Sequence, residues 1–178
     1  MADANSTAAN KNAAAGSEFV LQRTLAAPRA LVWKVWTEPE HLLQWFSPAG
    51  MTMASCTMDL RVGGSFLYCL RMPDGSDMWA KWVFREVVAP ARLVWVHGFA
   101  DATGKRSHHP MAPTWPLEML CTLSFEEHAG RTELTLHKTA HHANATEQLT
   151  FDSSHASMQM GWGGTLLQLD AHLAQIQG

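Results

Sequence analysis

The sequence predicts an α+β fold in which one antiparallel sheet wraps a long C-terminal helix, and three observations carry that prediction. From about Asp152 to Gln177, Met158, Trp162, Leu166, Leu169, Leu173 and Ile176 recur at the 3.6-residue period, while Gln159, Gln168, Asp170 and Gln175 fall on the other side. Upstream, from Met51 to Lys138, the apolar period changes to two, in six runs of strand length. All but one of the connections between those runs are hairpin-short, which makes neighbouring strands antiparallel.

The elements follow in order. Residues 1–16 are rich in Ala, Asn and Ser and hold no large apolar side chain after the initiator, so burial cannot offset their ordering entropy. A disordered tail is expected there, too polar for a signal peptide, before a single domain over 17–178. Glu18 to Leu25 reads as the first strand. Pro28 opens a short helix bearing Leu31, Val32, Val35 and Trp36. Thr37 with Glu40 has the capping-box spacing for a second, which carries Leu42, Leu43, Trp45 and Phe46 until Ser47, Pro48 and Gly50 stop it.

The six strand runs are Met51 to Leu60, Ser65 to Arg71, Met78 to Val88, Arg92 to Phe99, Leu117 to Glu126 and Arg131 to Lys138. Gly63-Gly64, Pro73-Asp74-Gly75, Pro90 and Ala129-Gly130 supply the turns between them. Leu117, Met119, Cys121, Leu123 and Phe125 alternate with Glu118, Thr122 and Ser124, so this strand has one apolar face in need of cover. Ala100 to Pro116 is the exception, a seventeen-residue connection of the length that is usually functional or mobile. Ala140 to Phe151 reads as a second irregular passage.

Asp152, Ser153 or Ser154 is placed to cap the last helix, and Gly178 ends it. Gly161, Gly163 and Gly164 within it cost about 1 kcal/mol each against alanine. Burying the six large apolar side chains of the stripe outweighs that, at roughly 1.5 to 3 kcal/mol each. The helix therefore has to dock. Glycines flanking Trp162 point either to close backbone approach or to the edge of a cavity, which is expected to be widest beside Leu166, Gly163 and Gly164. Strand, two short helices, six-stranded meander and long helix is the order of the helix-grip fold.

Composition narrows the function. Net charge is -3 and no basic cluster is longer than Lys105-Arg106, which disfavours nucleic acid and anionic membranes as partners. No apolar run approaches the roughly 18 residues of a membrane span. Cys56, Cys69 and Cys121 are odd in number and lack a CxxC spacing, which argues against a disulfide framework and suits a reducing cytoplasm. Among ten histidines, His108-His109 and His137 with His141 or His142 are the metal candidates. A spacing of four at a strand end gives no common face and zinc sites use three or four protein ligands, so neither metal nor cofactor is expected. Asp59, Arg61 and Gly63-Gly64 read as a glycine turn with an ion pair across it. No Ser/His/Asp motif, phosphate-cradling loop or nucleotide fingerprint is present, so the sequence leans away from an enzyme. Eight tryptophans and ten methionines against one tyrosine favour large, adaptable apolar surfaces, in a core or around a guest.

Residue identities add a resemblance. Ala27-Pro28 with Leu31-Val32-Trp33, Trp36-Thr37-Glu38-Pro39-Glu40, Trp45, the run Met58-Asp59-Leu60-Arg61-Val62-Gly63-Gly64-Ser65-Phe66, Pro73-Asp74-Gly75, and Gly161-Trp162 with Leu166 and Leu169 resemble the START-like (SRPBCC) superfamily. Within it the chain is most similar to the family of the C-terminal domain of the activator of the heat-shock protein 90 ATPase, from about Phe19 to Leu173. The resemblance implies a seven-stranded antiparallel sheet gripping the helix, with an apolar cavity between them. It implies no single activity, because fold alone does not fix function. Family members often carry a small residue, commonly glycine, where this chain has Trp82; an inward Trp82 would reshape or partly fill the cavity.

The expected pocket is lined by Trp45, Phe66, Tyr68, Trp82, Trp95, Met119, Met158, Trp162 and Leu166, with Tyr68, His97 and Glu118 as polar candidates for orienting a guest. The leading expectation is a cytoplasmic protein that binds or sequesters an apolar or aromatic small molecule. A cyclase- or hydrolase-type enzyme using the same cavity comes second. A chaperone-regulating module comes third, because the namesake carries an N-terminal domain not seen in this sequence. A chaperone or a second copy of the chain stays open as a partner.

Overall fold

In the computed structural model, which describes residues 16–178, the chain runs β1 (Phe19–Leu25), α1 (Arg29–Thr37), α2 (Pro39–Trp45), β2 (Thr52–Met58), β3 (Ser65–Arg71), β4 (Asp77–Val88), β5 (Arg92–Ala100), β6 (Arg106–Ser107), β7 (Glu118–His128), β8 (Arg131–His141), α3 (Ala145–Ser153) and α4 (His155–Gln177). All but one residue of the expected tail lies outside the described residues. The sheet order is β1-β8-β7-β5-β4-β3-β2, antiparallel at every pairing, with the two-residue β6 added beside the end of β5. Alternation sets its faces: Met119, Cys121, Leu123 and Phe125 of β7 are buried and point to the side that α4 covers.

The glycine turn before β3 is structural. Gly63 has φ +81°, and a Cβ on Gly64 would lie 2.1 Å from the Asp59 carbonyl oxygen. Gly63 N–H donates to the Phe84 carbonyl at 2.9 Å, tying the turn to β4. The Asp59–Arg61 pair, at 2.8 Å, is exposed.

Three local expectations are corrected. Residues 145–153 form α3, because Asn144 and Glu147 make a reciprocal capping box: the Glu147 amide donates to the Asn144 side chain at 2.9 Å, and the Asn144 amide donates to Glu147 at 3.0 Å. Thr37 does not cap α2; its hydroxyl donates back to the Trp33 carbonyl at 2.7 Å, inside α1, and Glu38 occupies the cap position. The last helix begins at His155, with Ser154 at its cap position and no side-chain cap bond. Asp152 instead accepts from the Ser17 amide and hydroxyl.

Leu166, Leu169 and Leu173 of α4 are buried, Met158 and Trp162 only partly. Ile176 is 39% exposed, and in that last turn it is the Gln177 side chain that makes the anchor, donating to the Ala26 carbonyl at 3.0 Å.

The middle of the grip is solid. Trp82 points inward and stacks on Trp95 with centroids 4.3 Å apart and planes 23° apart, and its ring meets Phe46 at 5.4 Å and Phe66 at 4.9 Å, both edge-on. Trp45 meets Trp36 at 4.8 Å and donates its indole N–H to the Val35 carbonyl at 3.0 Å. Trp45, Phe66, Trp82, Trp95 and Leu166, all expected to line a pocket, are buried core residues absent from the lining of the cavity described below, and the inward Trp82 ring packs among them. The sequence-based placement of the cavity beside Leu166 is thereby overturned. Leu166→Trp should overpack and lower stability by roughly 1 to 3 kcal/mol, and Leu166→Ala should cost about 2 to 5 kcal/mol, both measured by urea unfolding. A neutral Leu166→Trp would show slack beside the helix that the structure does not have.

Candidate functional site

A cavity of about 340 Å³ lies between the sheet and the first half of α4. Sheet alternation supplies its floor: Tyr68 and Leu70 from β3, Met78 and Ala80 from β4, His97 and Phe99 from β5, Met119 from β7 and Lys138 from β8. Ser157, Met158, Gly161, Trp162 and Thr165 of α4 form its roof. Phe46 to Pro48, after α2, closes one side, and His109 and Trp115 of the β6 region and the segment after it close another. Of the nine expected pocket residues, Tyr68, Met119, Met158 and Trp162 meet here.

The long connection is part of the wall. His109 sits edge-on to Phe99 at 4.5 Å and accepts from the Met111 amide at 3.0 Å. Trp115 lies 5.9 Å from Phe151 of α3, and the Thr150 hydroxyl donates to that of Thr114 at 3.0 Å. Gly161 and Gly164 answer the glycine question differently. A Cβ on Gly161 would meet nothing within 4 Å, whereas one on Gly164 would lie 3.5 Å from the Ala49 side chain.

Polar groups cluster on one part of this apolar wall. The Tyr68 hydroxyl lies 3.5 Å from His97 Nε2. Burial pushes the Tyr68 hydroxyl well above its ordinary pKa. It pushes His97 well below its own, and the Lys138 ammonium adds to that, so at neutral pH the imidazole is uncharged. Burial likewise raises the neighbouring Cys121 thiol to about 11, with Lys138 opposing. Cys69 is raised by burial too, and all three cysteines are free. Lys138 is only 6% exposed, and its Nζ lies 5.7 Å from the centroid of the Trp162 ring. Sequence reasoning passed over it although the signal was there: Leu134, Leu136 and Lys138 share the buried phase of β8. Glu118, by contrast, belongs to the opposite face and is ion-paired with Arg106.

Among the described residues, the cluster of three potential metal ligands lies outside the cavity. The ligand atoms of Glu118, His141 and His142 lie within 4.8 Å of one another, a grouping hidden from sequence because Glu118 comes from the neighbouring strand. Its carboxylate already holds Arg106, and His137 is occupied by Glu18 at 3.0 Å.

An apolar, one-sided cavity between an antiparallel sheet and a long C-terminal helix defines the class of START-like helix-grip proteins. The family model described as Activator of Hsp90 ATPase homolog 1-like protein matches residues 26–174, and the chain belongs to that family. Among solved structures, a Nitrosomonas europaea protein is 29% identical with a TM-score of 0.70, over 90% of this chain and 96% of that one. An Arthrobacter aurescens protein is 26% identical with a TM-score of 0.71, over 89% and 86%. A Mycobacterium smegmatis protein shares the fold at 24% identity and a TM-score of 0.71, over 88% and 90%. No curated protein matches the chain. No helix among the described residues is long and apolar enough to cross a membrane.

Two outcomes are expected. Because His97 binds its proton less readily in the folded chain than at the ordinary value of 6.5, its contribution to stability is complete above that value and is lost as pH falls towards and past the folded value. His109, His141 and His172 are lowered in the same sense and share that window. The melting temperature should therefore drop between about pH 7.5 and about pH 5.5, and drop less in His97→Gln. An equal drop in both would place the titration elsewhere. Adding EDTA should leave the melting temperature unchanged; a marked fall would mean that Glu118, His141 and His142 hold an ion.

Proposed function

We propose that this protein binds a small apolar or aromatic compound in the cavity between β3, β4, β5 and α4. The observation that carries the reading is the contrast within one core: the middle of the grip is filled by stacked tryptophans, yet about 340 Å³ stays open beside the first half of α4. That volume lies at the small end of the range for ligand sites, and its wall is mostly apolar with few convergent polar groups, as such sites are. Membership of the family and its helix-grip fold support binding as the coarse function. The three free cysteines support a reducing, cytoplasmic setting.

A cyclase- or hydrolase-type enzyme in the same cavity is the second reading, favoured by one contact. Tyr68 and His97 put a hydroxyl donor and an uncharged imidazole side by side, the pair that general acid–base chemistry uses.

The test is uptake of the uncharged fluorescent probe phenylnaphthylamine. The wild-type protein should bind it and Gly161→Leu should bind it more weakly, since Gly161 borders the cavity and a side chain added there has open space beside it. Leucine also favours the helix over glycine by about 1 kcal/mol, so the variant should melt no lower than the parent. Absent uptake by the wild type, or equal uptake by both, would remove the cavity as the binding site.

A further inference from the structure

We infer that the guest of this cavity is a carboxylic acid with an aromatic or apolar body, its carboxylate bound to Lys138. This rests on the cavity being the binding site and adds the chemistry of what enters it.

Lys138 is more than nine-tenths enclosed, belongs to the buried phase of β8, and lines the cavity. Its strand neighbours are Phe19 on β1 and Cys121 on β7, neither of which offers a negative charge. Among the described residues no carboxylate lies within 4.0 Å of Nζ and no acceptor takes a hydrogen bond from it; its one partner is the face of Trp162, at 5.7 Å. Enclosed ammonium groups are ordinarily paired, because removing the charge from water is costly. An ammonium facing a cavity is incomplete in a definite way: it lacks an anion, and an anion arriving in this low-dielectric wall is held more strongly than at the surface.

The rest of the lining fixes what the anion is attached to. Trp162, Phe99 and Trp115 present ring surface, and Met78, Met119 and Met158 present adaptable apolar surface. One cation among so many apolar groups matches a single charge on an apolar body. Tyr68 and His97, both uncharged at neutral pH, add a hydroxyl and an imidazole near that end without adding a second charge.

The experiment is isothermal titration with naphthoate and with its uncharged isostere naphthamide, against the wild type and Lys138→Met. Methionine keeps most of the length and removes the charge, and replacing an enclosed charge by an apolar residue is often neutral or stabilising, so the fold should hold. A melting curve for each protein checks this. The wild type should favour naphthoate by about tenfold or more. Lys138→Met should lose that preference while still binding naphthamide. If wild-type protein binds naphthamide as well as naphthoate, the assignment of the charge is overturned, and the comparison needs no variant. Retention of the acid preference in Lys138→Met would overturn it as well. Failure of both compounds together with absent phenylnaphthylamine uptake would overturn the cavity reading itself, and the acid with it.

Discussion

The stack of Trp82 on Trp95 is the contact on which the shape of this protein depends. Both rings project from the face that α4 covers, and their centroids, 4.3 Å apart, lie at the short end of the separations aromatic pairs adopt. With Phe46 and Phe66 set edge-on around Trp82, they form a plug across the centre of the grip. An antiparallel sheet wrapped around a helix encloses more space than small side chains fill. The space along the helix is thus divided into a closed portion beside Leu166 and an open one beside Met158 and Gly161.

That division explains what could be read from the sequence. The meander and the long helix follow from two periodicities, and the structure has both, with β3 running over the expected Ser65 to Arg71, whereas the pairing of β1 with β8 does not follow from them. Tyr68, Met119, Met158 and Trp162, inward by the same alternation and helical stripe, border the cavity. What periodicity gives is a direction, inward or outward. It cannot say whether an inward residue meets a void or a neighbour, because that is decided by partners distant in sequence. Trp45, Phe66, Trp95 and Leu166 point the right way and end in contact with other side chains. Lys138 and α3 are different. The phase of β8 and the Asn144 to Glu147 capping box were legible and were passed over, the first because a charged residue near a strand end is usually solvated, the second because short helices carry little apolar pattern. The grouping of Glu118 with His141 and His142 could not have been read, since it depends on strand register.

The half of the core that stays open is also the half with polar groups. Tyr68, His97, Lys138 and the indole of Trp115 border the cavity, whereas the plug around Trp82 is aromatic throughout. Placing an ammonium and an imidazole in the closed part would leave them with neither water nor partner, at a cost of several kcal/mol for the charge. At the cavity they keep access to whatever fills it. The uncharged state of His97 is a consequence of this arrangement: burial takes the imidazole out of water, and the nearby Lys138 ammonium adds to the cost of a second charge.

The wall of the cavity is held from both sides of the sheet's exit. The segment between β6 and β7 brings His109 and Trp115 across its mouth, and α3 fixes that segment through Phe151 and Thr150. The capping box that starts α3 therefore acts on the cavity at one remove: it sets where the helix begins, hence where Phe151 meets Trp115. The floor is built differently, from strand positions locked by register on both flanks. A floor whose polar groups come from paired strands thus faces a wall assembled from the β6–β7 connection and α3, so changes in that wall alter the size of the cavity while strand register fixes the groups on its floor.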